Sequence, residues 1–76
     1  MNARDAILRL LAERASGKTI CPSEAARAMD PEGWRGRMDA VRAAGAALAA
    51  EGRLVVSQRG ERVPPDAPGA IRYGAL

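Results

Sequence analysis

Apolar positions along the chain form three stretches of helical period, followed by short alternating stretches. Ile7, Leu8, Leu11 and Ala15 recur at three- and four-residue spacing and make one apolar face. Asn2 stands before that face as an N-cap, with Asp5 at the third helical position. Ser16-Gly17 predicts the exit, with Gly17 in the left-handed conformation. Lys18-Thr19-Ile20 predicts a short strand. In Cys21-Pro22-Ser23-Glu24 a second helix starts: Pro22 loses nothing at the first helical position, and Glu24 can reach back to the amide of residue 21. Ile20 and Ala25 form a weak hydrophobic staple, and Ala25, Ala26 and Met29 give this helix its buried side.

Asp30-Pro31-Glu32-Gly33 reads as a turn in which Gly33 permits an unusual backbone angle. A third helix is predicted from about Trp34 to Glu51, with Trp34, Met38, Val41, Gly45 and Leu48 on its core side and Gly52 closing it. Arg53 to Ser57 has the alternation of a strand, Gln58-Arg59-Gly60-Glu61 reads as a hairpin turn, and Arg62-Val63 starts a return that Pro64-Pro65 cuts short. Ala70 to Tyr73 is predicted as a last, edge strand. The expected class is α+β, mainly α: a winged helix-turn-helix of three helices with a small antiparallel sheet and a wing hairpin, in one domain over residues 1–76.

Composition changes this picture in two ways. Aromatic residues are only 3% of the chain, with no Phe, so the core must be aliphatic and rich in alanine. Cys21 is the sole cysteine and there is no histidine, which excludes an internal disulfide, a Cys/His zinc site within one chain, and any Ser-His-Asp or Cys-His device. No catalytic set, metal or cofactor is expected, and the chain reads as a non-enzyme. Arg4, Asp5 and Arg9 interrupt the first residues, unlike a signal peptide. The small-apolar run Ala43 to Ala50 is too short to span a bilayer, so the expected setting is a reducing cytoplasm without a membrane partner.

The segments Thr19-Ile20-Cys21-Pro22-Ser23-Glu24-Ala25-Ala26-Arg27-Ala28, Trp34-Arg35, Met38-Asp39-Ala40-Val41-Arg42, Gly52-Arg53-Leu54 and Pro68-Gly69-Ala70-Ile71-Arg72 span nearly the whole chain. Together they resemble a bacterial winged-helix family catalogued only as a domain of unknown function. The resemblance implies the fold and brings no activity or binding residues with it. One departure is Asp39, near which the family pattern has a proline.

The net charge is +3, carried by arginines and by Lys18 as the one lysine. A winged helix that binds DNA places its third helix in the major groove and its wing on the backbone or minor groove. Arg35 and Arg42, seven residues apart, are expected to share one side of the third helix, with Arg37 towards the opposite border. Arg59 and Arg62 flank the wing tip. Ser23 can offer a hydroxyl or an amide to a phosphate, and Lys18 precedes its helix. Against this, Asp30, Glu32 and Asp39 surround the start of the third helix, and any one arginine is equally well a solvated surface group. The outward stripe of that helix is Gly36, Ala40, Ala43, Ala47 and Ala50, which cannot read a donor–acceptor pattern. The expected function is therefore binding of double-stranded DNA with low sequence specificity. The alternative is a protein-interaction module, with the small-residue stripe packing on a partner helix or a second copy of the chain. Cys21 at an N-cap favours thiolate, but a gap-filling role for it is the more economical reading. Trp34, far from any other aromatic, reads as a core anchor rather than a base-stacking platform.

Overall fold

A computed structural model describes residues 1–14 and 17–76. The order of elements is helix α1 (Ala3–Glu13), strand β1 (Thr19–Ile20), helix α2 (Pro22–Met29), a 3-10 turn (Trp34–Arg37), helix α3 (Met38–Ala50), and strands β2 (Val55–Gln58), β3 (Glu61–Arg62) and β4 (Arg72–Gly74). Three helices and a four-stranded antiparallel sheet make it α+β and mainly helical.

The local signals act as expected from the residues. Asn2 caps α1 by accepting the Asp5 amide at 2.8 Å. The Glu24 carboxylate takes the Cys21 amide at 2.7 Å, so the first turn of α2 is closed by its own third residue. α3 ends in a Schellman motif: Gly52 has φ 74°, the Arg53 amide donates to Leu48 O at 2.9 Å, and the Gly52 amide donates to Ala49 O at 3.0 Å. The hairpin turns on Arg59 and Gly60, both with positive φ (53° and 82°), the type I′ geometry that matches the twist of paired strands.

Four expectations are corrected. α1 stops at Glu13, because Arg14 turns to extended backbone, so Gly17, although left-handed at φ 83°, is not the residue that ends the helix. The predicted membership of Ala15 in the first apolar face, and the Ser16 exit, lie outside the described residues. α3 begins at Met38, after a 3-10 turn rather than at Trp34; Asp39 then falls in its first turn, where an acid suits the helix dipole and a proline would also fit. Gly33 has an ordinary φ of −105°; a Cβ there would lie 2.6 Å from the Asp30 carboxylate that accepts the Gly33 amide, so a larger residue would displace that side chain.

The fourth correction is topological. The strand expected at an edge is interior: the sheet order is β1-β4-β2-β3, with β4 antiparallel to both β1 and β2. A strand's place in a sheet depends on long-range pairing that local alternation does not encode. Ile20, Val56 and Tyr73 line up across β1, β2 and β4 on the face turned to the helices, and all three are buried. The core joins them to Ile7, Leu11, Ala25, Ala26, Val41, Leu48, Leu54 and Ile71, while Leu8, Met29, Trp34 and Met38 pack half-buried at its margin. α3 passes so close to the sheet that a Cβ on Gly45 would collide with the Tyr73 ring and hydroxyl.

Candidate nucleic-acid interface

The positive charge is sorted by partner. Arg4 makes a bidentate pair with Glu51 (2.8 and 2.7 Å), Arg9 meets Glu13 (3.4 Å), Arg14 meets Glu24 (2.8 Å), and Arg37 meets Asp30 (3.3 Å). Three of these four arginines belong to α1 and its end. The other eight cationic side chains have no acid at ion-pair distance among the described residues. Glu24 illustrates the paired half of the molecule. Burial works against its charge, but the Arg14 side chain and the Cys21 amide outweigh it and hold the carboxyl below its ordinary 4.5. The Asp30 carboxyl is likewise lowered, chiefly by the Gly33 amide and then by Arg37.

Three of the unpaired cations face a cleft of about 690 Å³ between the start of α2, the start of α3, the hairpin tip and the loop before β4. Arg42 lines it from α3, Arg59 from the turn, and Arg72 from β4, and among the described residues no acidic one lines it. Ser23 is in the same wall; as the second residue of α2 its amide has no acceptor within the helix. Arg72 is held in place by Thr19, through its hydroxyl and its carbonyl (3.0 Å), and by the Cys21 sulfur (2.9 Å). Gln58 donates to Pro68 O and Ala70 O at 2.8 and 3.1 Å and ties the loop to the hairpin. Arg62 sits outside the cleft on β3, opposite Ser57, and Ser57 is opposite Arg72 on β4. Directly paired residues share a sheet face, so Arg62, Ser57 and Arg72 form a row on the side away from the core.

Of the residues expected to meet a phosphate, then, Arg42, Arg59 and Ser23 converge, and Arg62 lies close by on the hairpin. Three others do not join them. Arg37 is engaged by Asp30. Lys18 lines a separate shallow hollow with Thr19, Val55 and Ser57. Arg35 was expected beside Arg42 on one helix face, but the 3-10 turn has three residues per turn and breaks that phase. Arg35 instead lies over the Trp34 indole at 4.4 Å, and Arg27 of α2 lies over the same ring at 4.3 Å. Trp34 is half-buried, so it is both an edge of the core and a seat for two guanidiniums. Gly36, Ala40, Ala43, Ala47 and Ala50 are all exposed, as the stripe required, although Gly36 belongs to the 3-10 turn rather than to α3.

Arg72 and Arg27 were missed by reasoning from the sequence. For Arg72 a signal was present: Ile71 and Tyr73 alternate inward, which turns Arg72 outward. Nothing local joins Arg27 to Trp34 across the turn.

The molecule is thus a small mainly helical α+β domain with a basic, acid-free cleft. It belongs to the family of proteins of unknown function DUF3253, whose model matches residues 1–75. The comparison with curated proteins returns no match.

Proposed function

We propose that this chain is a non-catalytic winged-helix module that binds double-stranded DNA through its phosphates, with little discrimination among sequences. In this reading α2 and α3 form the helix-turn-helix and the β2–β3 hairpin is the wing. The observation that carries it is the convergence of Arg42, Arg59 and Ser23, with Arg72, on one acid-free cleft beside the exposed face of α3. Arg59 adds weight: it holds φ 53°, a conformation that Asn or Gly adopts more cheaply, so an arginine there costs stability and calls for a use. Low discrimination follows from the alanines that α3 turns outward, which touch methyl groups but offer no hydrogen bonds.

The test is fluorescence anisotropy of a short mixed-sequence duplex at low and moderate salt. Arg59→Ala and Arg62→Ala should each flatten the slope of log affinity against log salt by about 0.9 and weaken all sequences alike. Arg9→Ala, at an arginine paired with Glu13 and outside the cleft, should leave the slope unchanged. Absence of binding at micromolar protein in low salt overturns the DNA reading.

A second reading, docking of a partner helix or a second copy, is favoured by one observation: the whole small-residue stripe is exposed. Ala43→Glu separates the two. Entry of α3 into a groove requires the variant to lose duplex binding while its sedimentation stays the same; packing on a second copy requires it to dissociate a dimer.

A further inference from the structure

We propose that the cleft is a binding site for a small phosphate monoester carrying an apolar group, a function separate from duplex binding and not dependent on it. Three cations from three different elements, Arg42, Arg59 and Arg72, line a cavity that no carboxylate enters. Glu24 acts on the charge of Arg72 from outside the cleft, but no acidic side chain among the described residues lines the space between the three, so an anion placed there meets three cations and lowers the energy of the folded state. Arg72 is fixed in advance by its bonds to Thr19 and Cys21, and Cys21 itself lines the cleft, so this guanidinium is part of the wall rather than a free tether. The amide and hydroxyl of Ser23 add donors on the adjoining wall.

The volume of about 690 Å³ falls in the range of small-molecule sites, about 300–1,000 Å³. Apart from Ser23 and Gln58, the side chains beside the arginines are largely apolar, with Met38, Pro22 and Ile71 among them, which suits a ligand with a hydrocarbon or aromatic body. A terminal dianion fits better than a diester. It offers more oxygens to several guanidinium forks at once, and it can enter a concave site that the convex backbone of a duplex only spans.

The experiment is calorimetric titration of the full chain with phenyl phosphate, alongside inorganic phosphate and phenol. Phenyl phosphate should bind once per chain and about tenfold tighter than either fragment, since burial of the ring adds to capture of the anion. Arg42→Gln should weaken it by about tenfold or more. Arg59→Gln, at the exposed turn where folding is not at stake, should weaken it similarly, and Arg9→Gln should not. Phenyl phosphate binding no tighter than inorganic phosphate, or surviving unchanged in both Arg42→Gln and Arg59→Gln, overturns the proposal. No duplex is present in this titration. Retained phenyl phosphate binding with failed duplex binding therefore removes only the DNA reading.

Discussion

Tyr73 and Gly45 dictate each other's identity. Among the described residues Tyr73 is the largest wholly buried side chain, and its hydroxyl has no hydrogen-bond partner. Alanine in the middle of a helix normally gains about 1 kcal/mol over glycine. Here a Cβ would strike the Tyr73 ring, so Gly45→Ala should instead destabilise by about 1–3 kcal/mol, read from urea unfolding. Tyr73→Phe loses no hydrogen bond and should stay within about 1 kcal/mol of the parent at neutral pH. It should differ in alkali. Burial pushes the Tyr73 phenol above its ordinary 10.0, against a smaller pull from Arg42. The folded chain then holds that proton more tightly than the unfolded one. The contribution is complete below pH 10.0 and is lost as pH rises through the folded value. Unfolding midpoints measured from neutral to alkaline pH should fall less steeply for Tyr73→Phe.

At the scale of elements, the start of α2 concentrates several devices in four residues. Pro22→Gly with Glu24→Ala should cost about 1–2 kcal/mol together, checked by thermal melting. Glu24→Gln should also blunt acid sensitivity. The lowered Glu24 carboxyl contributes stability that is present above its ordinary 4.5 and fades as pH falls through the folded value. The hairpin offers the opposite experiment. Arg59→Asn should raise stability by up to about 1 kcal/mol, because Asn tolerates the left-handed backbone, while weakening phosphate binding. The N-caps of α1 and α2, the Gly52 end of α3 and the Arg59-Gly60 turn were legible in the sequence because each is decided within a few neighbouring residues. The 3-10 turn was not, because Trp34 and Met38 keep a helical apolar spacing whichever helix carries them. The interior place of β4 was not either: its partners lie some fifty residues away at β1, and alternation cannot say which edge a strand takes. For the same reason Arg42 and Arg59 were recognised as candidates while Arg72 was not.

Across the whole molecule, charge is divided by function. Three of the four ion pairs lie on the surface, where each is worth about 0–1 kcal/mol and salt screens it, and only Arg14–Glu24 is part-buried. The eight unpaired cations account for the excess of +3 over the unpaired acids. Raising salt should therefore move the thermal midpoint little while weakening duplex binding steeply, with both followed in the same buffers. A parallel loss of stability and affinity would mean that the ion pairs hold the fold and that the cleft is not a separate electrostatic unit. Net charge alone was a weak guide because a modest total conceals which cations are paired with acids and which are left to line the cleft.

The interior position of β4 has a consequence for the order in which the chain is made. β1 leaves the ribosome early and β2 later, but neither can pair with the other, because the strand that belongs between them is made after both. Until Arg72–Gly74 emerges, Ile20 and Val56 have no Tyr73 against them, and the helices have no closed sheet to rest on. The helices can associate during synthesis, since their contacts are complete by Ala50. Closure of the sheet, and with it assembly of the arginine cleft, must wait until synthesis has passed residue 74. Until then the cleft lacks Arg72 and the wall that β4 supplies.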